Sequence, residues 1–186
     1  MFDFDHFQEE CRSAASERAP LKAIQEVLAR AIERPGEVIQ ALGERGRAEI
    51  QTLLRSPELT ILNVIWGPWM TIRPHNHNMW AVIGVYTGRE DNILWRRRAD
   101  APGGRIEPAG AKALTERAVL PLGADIIHSV TNPIGRLTGA IHVYGGDFFD
   151  VPRSEWDPEL LTEQPRDVNR TLELFEDNNR RYLPPR

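Results

Sequence analysis

Apolar residues in the first third of the chain recur at intervals of three and four, which predicts an amphipathic helix. The positions concerned are Leu21, Ile24, Val27, Leu28 and Ile32. Pro35 and Gly36 interrupt this pattern. We predict two further short helices, at Glu37–Leu42 and Ala48–Leu54, and we expect the helices to cover one side of the fold.

From Glu58 onward short segments rich in Val, Ile, Trp and Thr alternate with Gly, Pro and Asn turns, a pattern typical of an all-β sandwich or barrel. The predicted strands are Leu59–Trp66, Met70–His75, Trp80–Thr87, Asp91–Arg98, Ala113–Leu120, Asp125–Val130 and Thr138–Tyr144.

Three prolines after Val151 predict an extended arm, and Val168–Arg180 predicts a last helix. At 186 residues the chain fits one domain. Within it we distinguish an N-terminal helical segment (1–57), a β-barrel (58–150) and a C-terminal arm with its helix (151–186).

Composition narrows the function. A net charge of −4 without a basic face argues against nucleic acid as a partner. No apolar stretch approaches the roughly 20 residues of a membrane helix, so we expect no membrane partner. The single cysteine, Cys11, excludes an internal disulfide and suits a reducing compartment, and the acidic start lacks the pattern of a signal peptide. We therefore expect a cytoplasmic protein.

His75 and His77 are two residues apart in a strand-like segment. Because strand side chains alternate, both imidazoles project from one face, about 6.5–7 Å apart along the backbone. From that spacing both can reach one metal ion at about 2.0–2.1 Å. A further histidine, His128, closes an apolar run and needs a polar partner, for which a metal and a backbone carbonyl are the two candidates.

These residues resemble the two motifs of the cupin family. The matching residues are His75, His77, Ala81 at the position of the family's acid, Gly88, Pro121, Gly123, His128 and Asn132. The resemblance implies a mainly β fold, a cupin jelly-roll barrel or double-stranded β-helix, with N-terminal helices packed outside and a C-terminal helix. It also implies one metal ion held by His75, His77 and His128.

The missing acid narrows the resemblance. A cupin with three histidines and no glutamate resembles the thiol dioxygenases of the cysteine dioxygenase type, which hold iron(II). The resemblance implies Fe(II) as cofactor, and a reaction in which O2 is added to the sulfur of a small thiol carboxylate to give a sulfinate. Zinc or another divalent metal also suits three histidines.

A late Ser-x-His-x-Tyr motif of these enzymes resembles Ala140, His142 and Tyr144. The resemblance implies that His142 and Tyr144 are catalytic, with Tyr144 donating a hydrogen bond to the bound oxygen species. Ala140 replaces the serine that would orient His142, so we expect His142 to be held differently. A His–Tyr pair that merely satisfies itself in the core is the alternative.

For substrate binding the sequence offers two arginines and a tryptophan. Arg55 precedes the strand that leads to the metal pair, where the resemblance places a carboxylate-binding arginine. Arg73 is expected to share a face with His75. Trp80 is expected to line the site, together with Trp66, Met79 and Val82. Cys11 is expected to lie outside the barrel, where it forms no cross-link to Tyr144.

The partners that we predict are a small-molecule substrate and O2, for a monomer or homodimer. Two alternatives stay open. One is a three-histidine cupin oxygenase that acts on a non-thiol molecule such as a diketone. The other is a metal-binding cupin without catalytic activity.

Overall fold

The computed structural model describes residues 2–44 and 46–182. The helices are α1 (Phe4–Ala15), α2 (Pro20–Ala31), α3 (Pro35–Leu42) and α4 (Val168–Tyr182). The first six strands are β1 (Glu49–Arg55), β2 (Thr60–Trp66), β3 (Thr71–Asn76), β4 (Ala81–Thr87), β5 (Arg89–Arg97) and β6 (Ile106–Thr115). The others are β7 (Val119–Leu122), β8 (Ile127–Thr131), β9 (Thr138–Tyr144), β10 (Ser154–Trp156) and β11 (Glu163–Pro165).

Two antiparallel sheets form the barrel. The first sheet has the order β1-β2-β9-β4-β7, and the second has the order β11-β10-β3-β8-β5-β6. Neighbouring strands are therefore often distant in sequence, as in the pairing of β2 with β9. The predicted mainly β fold, with helices outside and a C-terminal helix, is confirmed.

Strict alternation divides the first sheet into two buried faces. The inner face carries Leu62, Val64, Ile83 and Tyr144 and packs inside the barrel. The outer face packs against α1, α2 and α3, with the residues Ile61, Ile65, Val82, Ile141 and Val143. Because both faces are buried, strands β2 and β9 are buried along their whole length.

The N-terminal helices approach the first sheet closely at one glycine. A Cβ on Gly84 of β4 would lie 2.7 Å from Cγ of Leu28 in α2. Only a residue without a side chain therefore allows Leu28 to pack there.

The helix predicted at Ala48–Leu54 is wrong, since this segment forms β1 instead. Its backbone pairs with β2, with Gln51 opposite Asn63. The seven-residue segment is too short to be stable as an isolated helix, so the available strand partner decided its structure.

Two other predicted elements differ in their extent. The strand predicted at Ala113–Leu120 is divided between β6 and β7, because a turn intervenes in which Arg117 has a φ of 71°. The C-terminal arm contains two short strands, and β10 pairs with β3 through Glu155 and His75. The arm therefore lies directly beside the strand that carries the first histidine.

Helix α4 begins at Val168, as predicted, and extends to Tyr182. Two buried asparagines hold it against the barrel: Asn178 Nδ2 donates to Pro68 O at 2.8 Å, and Asn179 Nδ2 donates to Ala48 O at 2.9 Å. Phe175 packs on Trp66 with ring centroids 5.7 Å apart. Among the described helices none has the length and apolar character to cross a membrane.

Candidate metal centre

Three imidazoles converge inside the barrel from two adjacent strands. His75 lies in β3, His77 follows the end of that strand, and His128 lies in β8 directly opposite His75. The Nε2 atoms of His77 and His128 are 3.2 Å apart, and one nitrogen from each of the three rings lies within 4.8 Å of the others. The three histidines predicted from the sequence therefore meet at one point.

Hydrogen bonds to the far side of two rings orient this cluster. His75 Nδ1 lies 3.0 Å from the carbonyl oxygen of Arg73, and His128 Nδ1 lies 2.6 Å from Oδ1 of Asn92. An imidazole that donates through Nδ1 keeps the lone pair of Nε2 for a metal. Partners of this kind commonly support metal-binding histidines.

Burial keeps the cluster uncharged at neutral pH. Loss of hydration lowers the pKa of His75 and His77 well below the usual value, and the positive charge of Arg166 acts in the same direction. Burial likewise lowers the pKa of His128 to about 3. Neutral imidazoles are the form that binds a metal.

The donor set fits one divalent metal ion. Within residues 2–44 and 46–182, the group of side chains with the spacing of metal ligands consists of these three histidines without a carboxylate. Ala81, where the resemblance would place an acid, has a small side chain and lies opposite Tyr144 in the pairing of β4 with β9. Three neutral ligands leave the charge of the ion uncompensated and leave coordination positions for other ligands.

A small cavity of about 40 Å³ adjoins the histidines. Its walls are mainly apolar, with polar groups from Tyr144, His142, Arg166 and Thr171. A cavity needs roughly 10–15 Å³ of such volume to hold one water molecule. The cavity therefore suits a small ligand rather than a bulky one.

His142 and Tyr144 stand side by side on the inner face of β9, as the sequence predicted. His142 Nδ1 is 3.0 Å from the Tyr144 hydroxyl oxygen. The Tyr144 ring packs edge-on against His77, with centroids 5.0 Å apart. Burial raises the pKa of Tyr144 above its usual value, so the free phenol stays protonated at neutral pH.

Sequence analysis missed a buried carboxylate beside this pair. Glu90 in β5 is wholly buried. Its carboxylate accepts hydrogen bonds from Trp66 Nε1 at 2.7 Å and from Asn92 Nδ2 at 2.9 Å. One of its oxygens lies 3.5 Å from His142 Nε2. Burial alone would raise the pKa of Glu90, but these donors outweigh it and lower the pKa. The available signal was the spacing of Glu90, Asn92 and Leu94 at every second residue, but the predicted strand began at Asp91 and left Glu90 outside it, whereas β5 begins at Arg89.

The predicted substrate-binding arginines lie elsewhere. Arg55 donates from Nε to both oxygens of Asp147 at 2.9 and 3.0 Å, and does not line the cavity. Arg73 lies 3.4 Å from Oε1 of Glu155 and lines a neighbouring groove. A register irregularity between Ile72 and His75 disturbs the alternation that would have placed Arg73 on the face of His75.

The aromatic residues expected around the site are divided between the two faces of the first sheet. Trp66 lines the cavity. Trp80 and Val82 pack against the helices on the outer face of the sheet. Cys11 of α1 belongs to the same cluster. Burial raises the pKa of the Cys11 thiol to about 12. Cys11 and Tyr144 belong to different clusters, as expected for a tyrosine without a cross-link.

Two other arginines, which sequence analysis did not select, lie at the cavity. Arg166 lines it, and Arg153 stacks 3.8 Å from the centroid of the lining residue Phe148. The backbone N–H of Arg166 donates to the carbonyl of Arg153 at 2.9 Å, so the two are held together. Within the described residues, Nη1 of each arginine is buried without a hydrogen-bond partner.

The pKa values of Arg166 and Arg153 are both lowered, which also indicates charges removed from water. Burial lowers the pKa of Arg166 to about 10, and the charge of Arg153 contributes. Burial also lowers the pKa of Arg153. Two adjacent, half-buried arginines, each with a buried Nη1 that has no partner within the described residues, form a site that favours an anion.

No protein-family model matches the chain. Solved structures similar to it include an RmlC-like cupin family protein with a double-stranded β-helix fold from Methanocaldococcus jannaschii, at 11% identity over 57% of this chain and 86% of that chain, with a TM-score of 0.45. A protein with a double-stranded β-helix domain from Klebsiella pneumoniae is 10% identical over 61% and 82%, with a TM-score of 0.45.

An enzyme is also among the similar structures. The DMSP lyase DddQ from Ruegeria pomeroyi is 14% identical, with 61% of this chain and 53% of that chain covered and a TM-score of 0.46. The first two neighbours are described as a cupin family protein and as a protein with a double-stranded β-helix domain. Their names describe an architecture and not a reaction. The chemistry has to be argued from the site itself.

Proposed function

We propose that the protein is a non-haem iron(II)-dependent dioxygenase that adds O2 to the sulfur of a small thiol carboxylate and releases a sulfinate. The observation that carries the proposal is a cluster of three neutral imidazoles without a carboxylate, facing the His142–Tyr144 pair. The overall reaction is balanced, because one thiol and one O2 give one sulfinic acid and both oxygen atoms are bonded to sulfur.

His75, His77 and His128 would hold the metal. Iron(II) would supply a Lewis-acidic, redox-active centre at which thiolate and O2 can react. Because the three ligands carry no negative charge, the site favours a substrate that brings its own anionic groups.

Arg166 and Arg153 are the groups that we propose for the substrate carboxylate. Within the described residues each offers a buried Nη1 without a partner, and a backbone hydrogen bond holds the main chains of the two residues side by side. A planar guanidinium can bind a carboxylate through two parallel hydrogen bonds. The arginines predicted earlier, Arg55 and Arg73, already face Asp147 and Glu155.

Tyr144 and His142 are the groups that we propose for handling the proton of the thiol. The hydroxyl oxygen of Tyr144 can accept this proton while its own hydrogen passes to Nδ1 of His142. The oxygen and this nitrogen are 3.0 Å apart. Tyr144 thereby stays neutral, in keeping with its raised pKa. Its hydroxyl can then donate a hydrogen bond toward the reacting oxygen.

Size and setting limit the substrate. The small, mostly apolar cavity fits a compact molecule. We further propose a cytoplasmic enzyme, monomer or homodimer, that has neither nucleic acid nor a membrane as partner. The net charge of −4 and the single buried cysteine support this setting.

The test is oxygen consumption by protein loaded with iron(II) under anaerobic conditions. Cysteine, 3-mercaptopropionate and mercaptoacetate should be compared with cysteamine, which lacks the carboxylate, and with alanine, which lacks the thiol. We expect uptake of one O2 per thiol with the carboxylates, and both atoms of labelled O2 in the sulfinate by mass spectrometry.

Two results would contradict the proposal. One is an absence of uptake across the thiol panel by protein with a full iron content. The other is consumption of O2 with formation of disulfide or hydrogen peroxide instead of sulfinate. Metal without turnover would favour a metal-binding protein, and uptake with a diketone would favour a non-thiol oxygenase.

A further inference from the structure

Inside the barrel, the carboxylate of Glu90 accepts hydrogen bonds from two side chains. One oxygen of Glu90 accepts from Asn92 Nδ2, and the other accepts from Trp66 Nε1 and faces His142 Nε2. Asn92 and Trp66 donate to Glu90, and His142 presents its Nε2 to the same carboxylate from 3.5 Å. A wholly buried carboxylate needs such donors, because nothing else replaces its hydration.

His142 is held between this carboxylate and Tyr144. Its Nδ1 lies 3.0 Å from the tyrosine hydroxyl, whereas its buried Nε2 makes no hydrogen bond of normal geometry to the described part of the chain and faces Glu90 Oε2 at 3.5 Å. A carboxylate can only accept, so it favours the tautomer that carries hydrogen on Nε2. The lone pair of Nδ1 is then directed at the Tyr144 hydroxyl.

We propose that Glu90 is a positioning residue, which fixes the hydrogen of His142 on Nε2 and so makes Nδ1 the acceptor of the Tyr144 hydroxyl hydrogen. The effect on catalysis rests on the proposed function. There, the arrangement leaves the Tyr144 oxygen free to take the proton of the thiol, and the negative charge of Glu90 stabilises the imidazolium that forms.

The proposed role of Glu90 would offset the absence of a serine at residue 140. Ala140 lies two residues before His142 on β9 and has no hydroxyl, whereas Glu90 reaches His142 from β5 in the other sheet. The charge of a carboxylate gives a stronger preference for one tautomer than a hydroxyl, which can both donate and accept.

An amide cannot take the place of this carboxylate. The Asn92 side chain is fixed, because its oxygen lies 2.6 Å from His128 Nδ1 and its amino group therefore faces Glu90. In a Glu90→Gln variant the new amino group would meet a donor, either that of Asn92 or those of Trp66 and His142. The tautomer preference of His142 should then be weakened.

The first experiment measures the tautomer of His142 by nitrogen-15 NMR of the ring, in wild-type protein loaded with zinc. We expect hydrogen on Nε2. In Tyr144→Phe the same tautomer should persist, since Glu90 is unchanged. Hydrogen on Nδ1 in the wild type, or a switch of tautomer in Tyr144→Phe, would overturn the proposal, because either would show that Glu90 does not set the tautomer.

The second experiment compares Glu90→Gln with Glu155→Gln. Glu155 is a matched control because it is also a buried carboxylate, which accepts from Arg170 and Gln164, each at 2.9 Å. We expect the His142 tautomer to change in Glu90→Gln only. An unchanged tautomer in folded Glu90→Gln would refute the assignment. If that variant does not fold, the comparison of wild type with Tyr144→Phe still decides.

Kinetics separates this proposal from the proposed function. If thiol oxidation is found, Glu90→Gln should lower kcat by about 10–100-fold with little change in KM, because Glu90 does not contact the substrate. A large rise in KM at constant kcat would contradict a positioning role. If no thiol is oxidised, the proposed function fails, while the NMR results still test the link between Glu90 and His142.

Discussion

The two faces of the first sheet show how one strand serves two purposes. In β9 the outward residues Ile141 and Val143 pack against the N-terminal helices, and the inward residues His142 and Tyr144 adjoin the metal centre. Both faces are buried. On this strand the two faces differ because Ile141 and Val143 need only apolar contact, whereas His142 and Tyr144 each need a specific polar partner.

This difference suggests that stability and function can be changed separately. Substitutions on the outer face should lower the free energy of unfolding and leave the metal in place. Substitutions among the inner polar groups should remove metal, substrate affinity or turnover and leave the fold in place. Each prediction below tests one side of this division.

The largest effect is expected for His77→Ala. Loss of one of three ligands should reduce the metal content from about one ion per chain to near zero and abolish activity. The measurement is elemental analysis after dialysis, with circular dichroism to confirm the fold. His6→Ala, which removes an exposed histidine of α1, is the control. Full iron content in His77→Ala would show that the ligand set is wrong.

Acid should act on the inner face through the three histidines. In metal-free protein their folded pKa values lie below the unfolded value of about 6.5, so the unfolded chain binds more protons below that pH. Stability is therefore fully present above about pH 6.5 and should fall on acidification, by about 1.4 kcal/mol per pH unit for each histidine.

Urea unfolding of metal-free protein measures this slope, at pH values from about 1 unit above to about 1.5 units below the unfolded histidine pKa of about 6.5. Zinc-loaded protein is the control, and it should be more stable because the metal binds the folded chain. A metal-free protein whose stability is constant over this range would contradict the burial of three neutral imidazoles.

On the outer face, Ile141→Ala should cost about 2–5 kcal/mol in the free energy of unfolding, since it leaves a cavity between β9 and the helices. Denaturant unfolding measures the loss. Metal stoichiometry and KM should stay at wild-type values in the folded protein. If metal is lost at the same time, the two faces are coupled and the division fails.

The smallest effect is expected for Arg166→Met. Loss of a charged hydrogen bond to a carboxylate should raise KM for the thiol carboxylate by about 10–100-fold, equivalent to about 1.4–2.8 kcal/mol. Arg96→Met, in an exposed ion pair with Glu107, is the control. The same KM measurement on Arg55→Met tests the arginine that the sequence predicted. If KM rises in Arg55→Met and not in Arg166→Met, Arg55 binds the substrate carboxylate.

Much of the architecture was predictable from local pattern. Strands β2, β4 and β9 were found because apolar residues and turns mark them. His75 and His77 could be paired because their spacing is a property of any strand. The segment at Ala48–Leu54 was assigned wrongly, since its conformation depends on pairing with β2 and not on its own preference.

The sequence by itself determined the β-rich type of fold and the shared face of His75 and His77, because alternation is a local property of the chain, and the resemblance to a two-part motif added His128. Tertiary structure alone decided the partners of those rings. Glu90 reaches His142 across 52 positions of sequence, and Arg166 comes to the cavity from an arm that looked merely extended. Such contacts are made when distant strands pair and water is excluded, which no local pattern records.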